Sequence, residues 1–241
     1  VSTTCGYCSV GCGMFIGVKE GRAVSVRGDE AHPVNRGMLC PKGLSEHETL
    51  HGPNRARYPL LRRSRRDRQE RVGWTEALQT MARRFDEVRR AHGPNAVGVI
   101  GTGQLVTEEF YALGKLAQLG LGTRNYDGNT TLCMSTAVAG YKRSFGSDGP
   151  PGAYEDLERA DVVFLIGANV ADNHPILWQR LEANRGKTLI VADPRVTKTA
   201  MLADLHLPVK PRSDLALVNG LIHLIVTHDL IDREYIAAHT T

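Results

Sequence analysis

The sequence predicts an α/β protein, with a small β-rich amino-terminal domain followed by a doubly wound, mainly parallel α/β domain. Four cysteines flank a predicted hairpin within the first 40 residues, and strand, glycine turn and helix patterns recur from residue 96 onwards. The 241 residues are 41% hydrophobic, which suffices for a core in one large or two modest domains. We place the cysteine-bearing domain at residues 1–58 and the α/β domain at 59–241.

The first four cysteines have the spacing of a metal-cluster site. Cys5, Cys8, Cys12 and Cys40 form the pattern C-x2-C-x3-C-x27-C, in which one loop supplies three thiolates and a fourth returns from further along the chain. A 4Fe-4S cluster needs four such thiolates, and this spacing favours it. Structural zinc, the alternative, favours two separated C-x2-C pairs. Disulfides are disfavoured because the cysteines are few and odd in number, and we expect a reducing compartment.

A hairpin connects the two parts of this cysteine pattern. The residues 14–18 and 22–26 alternate as strands around Lys19-Glu20-Gly21. Such a hairpin would return the chain towards Cys40. The following Cys40-Pro41-Lys42-Gly43 turn projects Lys42 beside a cluster ligand, although a lone lysine is ordinarily a solvated surface charge.

Positive charge is concentrated in residues 55–71, which hold eight arginines against Asp67 and Glu70 and so contribute +6 to a net charge of +4. Tyr58 is the one aromatic residue in this stretch, so it lacks the aromatic side chains that stack on bases. We therefore expect a solvated linker and no nucleic-acid partner, with docking of an acidic electron-transfer protein as the alternative. No apolar run approaches the roughly 20 residues of a membrane span.

Alternating strands and helices after residue 74 predict a Rossmann-like sheet. The predicted elements are a helix at 75–92, a strand at 96–100, a helix at 107–119, a strand at 161–166, a helix at 176–184, a strand at 188–192 and a helix at 215–228. Ligands of such sheets bind at the carboxyl ends of the strands. The turn Gly101-Thr102-Gly103-Gln104 resembles a nicotinamide fingerprint but has Val106 in place of its last glycine. Asp193 could accept from ribose or guanine, or cap a turn.

Cys133 stands apart from the other cysteines. It follows Asn129-Thr130-Thr131, which can cap a helix, and it opens a helical pattern at 134–145. The positive end of a helix dipole favours a thiolate, the form that binds metal. Judged from this segment alone, a cysteine in this position is more often a small buried core residue.

Taken together, the motifs resemble the molybdenum enzymes that carry two molybdopterin guanine dinucleotides. The resemblance rests on the cysteine pattern with Cys40-Pro41-Lys42-Gly43, Gly103-Gln104, Asn129 four residues before Cys133, the segment 167–175, Asp193-Pro194-Arg195 and Asp214. Within that family, the segments 132–135 and 145–151 are most similar to assimilatory nitrate reductases. Formate dehydrogenases are also similar, but they usually have histidine where Met134 stands.

The resemblance implies a role for each matching residue. The first four cysteines would bind the 4Fe-4S cluster, Lys42 would bridge cluster and pterin, and Cys133 would supply a thiolate to molybdenum. The implied pterin-binding residues are Gln104, Asn129, Gly167, Ala168, Asn169, His174, Asp193, Pro194, Arg195, Thr197, Arg212, Ser213 and Asp214. His174 is equally well explained as a structural histidine. The chain departs from the family at Thr131, where arginine is common, and at Arg212, where glycine is common.

The implied function is the reduction of nitrate to nitrite in the cytoplasm. The implied cofactors are a 4Fe-4S cluster and molybdenum bis(molybdopterin guanine dinucleotide), with ferredoxin, flavodoxin or a nicotinamide-linked reductase as electron donor. Family members are considerably longer, so we expect an amino-terminal portion that is inactive alone. The alternatives are formate oxidation and a non-catalytic electron-transfer module, and Cys133 argues against the module.

Overall fold

The computed structural model describes residues 1–240, so residue 241, the last of the predicted α/β domain, lies outside the described residues. The chain divides into two compact units, Val1–Pro151 and Gly152–Thr241. The domain boundary that the sequence suggests at residue 58 falls inside the first unit. The division into residues 1–58 and 59–241 therefore remains a proposal.

A three-stranded antiparallel sheet begins the first unit. Its strands are β1 (Ser2–Thr4), β2 (Gly13–Lys19) and β3 (Arg22–Gly28), in the order β1-β2-β3. The predicted hairpin is confirmed, and its turn places Glu20 and Gly21 at φ values of 50° and 73°. Two consecutive positive φ values match the right-handed twist of the paired strands. The hairpin returns the chain to Cys40.

Asn35 fixes the segment between the hairpin and Cys40. Its side chain is fully buried, accepts from the N–H of Gly13 at 2.8 Å, and donates to the carbonyls of Gly13 at 2.9 Å and Met38 at 2.8 Å. Gly13 follows Cys12, and Met38 lies two residues before Cys40, so one amide joins the two cysteine-bearing segments. Two short helices follow, α1 (Pro41–Leu44) and α2 (Glu46–Thr49).

The remainder of the first unit contains a parallel strand pair. The elements are β4 (Leu60–Leu61), β5 (Glu70–Arg71), α3 (Trp74–His92), β6 (Val99–Gly101), α4 (Thr107–Lys115), β7 (Tyr126–Gly128) and α5 (Asn129–Phe145). The strand predicted at 96–100 begins later, at Val99, because Pro94–Ala96 forms a 3₁₀ turn. A π-helical segment at Leu116–Leu121 continues α4. The strands β6 and β7 pair in parallel, as the sequence pattern predicts for an α/β layer.

The second unit has a three-stranded parallel sheet. Its elements are α6 (Tyr154–Arg159), β8 (Val162–Ile166), α7 (Val170–Asn173), α8 (Pro175–Ala183), β9 (Thr188–Ala192), α9 (Lys198–Met201), β10 (Leu205–Leu207), α10 (Asp214–Thr227) and α11 (Arg233–His239). The order is β10-β9-β8, with all pairs parallel. Its core contains Trp178, Leu181, Leu189 and Val191. The predicted α/β class with parallel sheets is confirmed.

Replacing Asn35 with alanine is expected to destabilise the first unit. The substitution removes three hydrogen bonds of a fully buried side chain and takes away the partner that Asn35 gives to the N–H of Gly13 and to the carbonyl of Met38, at a cost of about 3 kcal/mol. Urea unfolding measures this cost, and Asn54→Ala is the control because Asn54 is exposed. Equal unfolding free energies for the two variants would contradict the anchoring role of Asn35.

Replacing Arg180 with alanine is expected to destabilise the second unit. The Arg180 side chain is 2% exposed and pairs with Glu158 at 2.6 Å and Glu155 at 2.8 Å. Removing one partner of a buried pair costs about 3 kcal/mol. The exposed Arg83–Glu87 pair provides the control, since Arg83→Ala should cost less than about 0.5 kcal/mol. Similar losses in urea unfolding would show that burial does not distinguish these pairs.

Candidate functional site

The first four cysteines converge in the first unit. The N–H of Cys5 donates to the carbonyl of Cys12 at 2.9 Å, which closes the loop carrying three of the thiols. A Cβ placed on Gly43 would lie 3.7 Å from the Cys5 sulfur, so the segment after Cys40 packs against that thiol. Cys12 interacts electrostatically with Cys8, Cys40 and Cys5. The structure therefore brings together the four residues that the spacing predicts.

Burial makes two of these thiols, those of Cys5 and Cys12, hard to ionise without a metal. Desolvation raises the pKa of Cys5 to about 12 and that of Cys12 to about 11, and the neighbouring thiols add to the increase for both groups. Metal ligation requires the thiolate form, and bound iron would supply positive charge that favours it. All five cysteines are free, which leaves the whole donor set available.

The donor set fits a four-iron cluster. Within residues 1–240, no three His, Cys, Asp or Glu side chains are close enough to share one metal ion. A cluster does not require that closeness, since each of its four thiolates binds a different iron atom. The loop also adopts the tight geometry that wrapping demands, with Gly11 at φ 89° and Ser9 at φ 57°.

Two charged residues follow Cys40 closely. Lys42 is half-buried in α1, two residues beyond the fourth thiol. Glu46 begins α2, and its Oε1 accepts from the N–H of Gly6 at 3.0 Å, beside Cys5. The sequence pattern singled out Lys42 but missed Glu46, because a glutamate six residues after a cysteine carries no recognisable signal.

The parallel pair β6-β7 positions the other candidates of the first unit. Because β6 and β7 are parallel, the residues that follow them lie at the same edge. The N–H of Gly103, after β6, donates to Asn129 Oδ1, after β7, at 2.8 Å. Gln104 Nε2 donates to the carbonyl of Tyr7 at 3.3 Å, which connects this edge to the cysteine loop. Asn129 therefore lies beside the Gly103-Gln104 turn.

The helix bearing Cys133 begins earlier than predicted. It starts at Asn129 and not at Met134, because Gly128 takes the extended cap conformation. Cys133 therefore lies in the second turn, where the dipole of the helix end is weaker than in the first. The thiol is exposed, which contradicts the interpretation as a buried core residue, and Sγ donates to the carbonyl of Thr130 at 3.7 Å.

An open cleft adjoins this part of α5. Its volume is about 640 Å³, and it is lined by Thr130, Thr131, Met134, Ser135, Val138, Ala139, Lys142 and Asp148. Thr131, where the family commonly has arginine, donates from Oγ1 to Asp127 at 2.6 Å. This bond and the N–H of Gly128 lower the pKa of Asp127. A neutral hydroxyl thus supports the turn before Cys133.

The candidates of the second unit gather at the carboxyl edge of its sheet. Gly167, Ala168 and Asn169 follow β8, the segment 193–197 follows β9, and the segment 212–214 lies beyond β10. Gly167 has a φ of 62°, and its N–H donates to the carbonyl of Ala192 at 2.9 Å. This turn is open to a ligand at Gly167, where the nearest atom to an added Cβ is Asp214 Oδ1 at 4.0 Å.

Several polar candidate residues at this edge form hydrogen bonds with neighbouring residues. Asn169 donates to Asp172 at 2.8 Å and accepts from Thr199 at 2.9 Å. Asp193 is buried, and its Oδ1 accepts from the N–H of Arg195 at 2.8 Å, which is the turn-capping role that the sequence left open. Thr197 caps α9 by accepting from the N–H of Ala200 at 3.2 Å. These contacts stiffen the loops.

The remaining candidate residues of the second unit lie in turns and at a helix start near the carboxyl edge of the sheet. Arg212 has a φ of 71°, a region that favours glycine, so the glycine common in the family fits this position and arginine carries a strain of about 1 kcal/mol. Ser213 Oγ donates to the carbonyl of Lys210 at 2.6 Å. His174 precedes α8, and its carbonyl accepts from the N–H of Trp178 at 3.0 Å. Pro194 and Arg195 are exposed in the turn after β9.

Two family matches cover almost the whole chain. Residues 1–52 match the molybdopterin oxidoreductase Fe4S4 domain, and residues 55–238 match the molybdopterin oxidoreductase family. The Fe4S4 match contains all four cysteines of the predicted cluster site.

Similar proteins include several nitrate reductases. The chain is 42% identical to a nitrate reductase from Synechocystis, over 99% of this chain and 35% of that protein. It is 44% identical to an assimilatory nitrate reductase from Haloferax mediterranei, over 100% of this chain and 34% of that protein. It is also 42% identical to a periplasmic nitrate reductase from Desulfovibrio desulfuricans, over 95% of this chain and 31% of that protein.

A solved structure has the same fold. Acetylene hydratase from Pelobacter acetylenicus superposes with a TM-score of 0.82 at 28% identity, over 98% of this chain and 33% of that one. The chain thus spans about a third of the length of the relatives it matches. The family matches and these similarities, together with the converging cysteines and the parallel sheets, show that the chain belongs to the molybdopterin oxidoreductase family.

Proposed function

We propose that this chain is the cluster-bearing and pterin-binding part of an enzyme that reduces nitrate to nitrite. The observation that carries the proposal is identity above 40%, over nearly the whole chain, to proteins named nitrate reductase. The fold alone does not decide the substrate, since acetylene hydratase shares it. Two electrons and two protons convert nitrate to nitrite and water.

The cysteine loop is the entry point for electrons. Cys5, Cys8, Cys12 and Cys40 would hold the cluster, and when bound it would supply one-electron transfer from an external donor. Lys42, half-buried and two residues beyond Cys40, would give the electron a cationic neighbour on its path from the cluster to the pterin. Ferredoxin, flavodoxin or a nicotinamide-linked reductase is the proposed donor.

The strand-end loops hold the cofactor as molybdopterin guanine dinucleotide. Turns after parallel strands present backbone N–H groups to diphosphate, and the positive φ of Gly167 opens such a turn after β8. Side chains that both donate and accept, such as Gln104 and Asn129, suit a pterin edge. The buried Asp193 stands where a carboxylate can accept from guanine or ribose. The proposed remaining contacts are Ala168, Asn169, His174, Pro194, Arg195, Thr197, Arg212, Ser213 and Asp214.

Cys133 is the proposed protein ligand to molybdenum. Its thiol is exposed, begins the second turn of α5 and lies near the cleft of about 640 Å³. When bound, molybdenum supplies the two-electron chemistry that oxygen removal from nitrate requires. The chain's own contribution is to present the thiol in a fixed position, with Thr131 and Asp127 bracing the turn before it.

The location proposed for the enzyme is the cytoplasm, in keeping with an assimilatory role like that named for the Haloferax relative. One other relative is named periplasmic. None of the helices within residues 1–240 has the length and apolar character that crossing a membrane takes. Cell fractionation with a cytoplasmic marker tests this location.

The substitution Cys133→Ser tests the proposed function in the full-length protein. Loss of a direct metal ligand should lower nitrite formation with a reduced artificial donor more than about 100-fold, because even residues that only support ligands cost 10- to 100-fold. The absorbance of the cluster should remain, since Cys133 is not among its ligands.

The control is Ser144→Ala, an exposed position on the same helix that should leave activity unchanged. Formate with an artificial acceptor is assayed in parallel. Formate oxidation without nitrite formation would favour the formate dehydrogenase alternative. Iron without molybdenum and no activity towards either substrate would favour a non-catalytic electron-transfer module.

A further inference from the structure

Glu46 lies against the loop that carries three of the cluster cysteines. It is half-buried at the start of α2, and its Oε1 accepts from the N–H of Gly6 at 3.0 Å. A Cβ on Gly6 would lie 3.1 Å from the same oxygen, so the loop and the carboxylate are in close contact. Gly6 is adjacent to Cys5, and Glu46 also interacts directly with the Cys5 thiol.

The second oxygen of this carboxylate is not satisfied by the protein. Oε2 is buried and has no hydrogen-bond partner in the part of the chain that the structure describes. A carboxylate oxygen that is buried without a hydrogen-bond partner is costly, so such a group calls for a functional explanation. Its position beside Cys5 gives one, because a fixed charge acts strongly on a redox centre in a region of low dielectric constant.

We propose that Glu46 sets the reduction potential of the cluster and lowers it. The inference rests on the proposed cluster site. Reduction adds one negative charge to the cluster, and a carboxylate beside a ligand opposes that addition. The contact with Gly6 acts in the same direction, because an N–H that donates to Glu46 does not donate to a cluster sulfur, and such bonds raise cluster potentials.

The test is a redox titration of the full-length protein with its cluster, in which electron paramagnetic resonance monitors the reduced cluster. Glu46→Gln removes the charge but keeps an oxygen that can accept from Gly6. A unit charge at about 10 Å and an effective dielectric constant of about 20 changes the reduction equilibrium roughly tenfold. We expect the potential of Glu46→Gln to rise by about 59 mV, the equivalent of tenfold for one electron.

Two further variants separate charge from packing. Glu46→Asp retains the charge and should stay closer to the parent potential than Glu46→Gln. Glu46→Ala is a second charge-free variant and should shift in the same direction as Glu46→Gln, so the test survives if one of the two loses its cluster. The matched control is Glu48→Gln, on the same helix but exposed, where solvent screening should leave the potential unchanged.

The possible outcomes distinguish this inference from the cluster site itself. A four-iron signal with an unchanged potential in both charge-free variants would overturn the role of Glu46 alone. An equal shift in Glu48→Gln would overturn it as well, because the effect would then not depend on the buried position. Absence of a four-iron signal from the parent protein would overturn the cluster site and the inference together.

Discussion

The desolvation of cysteine thiols is the constraint on which the amino-terminal part of the structure depends, with Cys12 and Cys40 buried and Cys5 and Cys8 half-buried. Desolvation disfavours the charged form that metal binding requires, as the raised pKa values of Cys5 and Cys12 show. The thiols therefore contribute little to the stability of the loop until iron is bound. Without iron, Asn35 holds the cysteine-bearing segments together, since its buried amide joins the residue after Cys12 to the segment before Cys40. Close packing reinforces this geometry, because a Cβ on Gly28 would lie 1.9 Å from the carbonyl oxygen of Gly37.

A second constraint comes from parallel strands, whose carboxyl ends meet at one edge. In the first unit, this brings Gly103 and Gln104 beside Asn129 and places Cys133 on the helix that follows. In the second unit, the same topology gathers the loops after β8, β9 and β10. The bond from Gln104 to the carbonyl of Tyr7 then links the strand-end edge of the first unit to the cysteine loop.

Much of this organisation could be predicted from the sequence, because spacing and periodicity are local signals. The hairpin at 14–26, the long helix predicted at 75–92 and the first two strands of the second unit follow from such patterns, whereas the short strand β10 was not predicted. Helix α5 was predicted to begin too late, since Asn129 to Leu132 resemble a cap when tertiary contacts are unknown. Asn35 and Glu46 could not be found, because a buried amide and a half-buried carboxylate are ordinary polar residues until the fold encloses them. The exposure of Cys133 likewise follows from packing and not from spacing.

The central claim is that the converging cysteines bind a four-iron cluster, and metal analysis of the full-length protein tests it most directly. Iron, acid-labile sulfide and zinc are quantified in protein purified without oxygen. The account predicts about four iron atoms and four sulfides per chain, with loss of both when Cys12 is replaced by serine. One zinc ion per chain, with no sulfide and no iron, would contradict it.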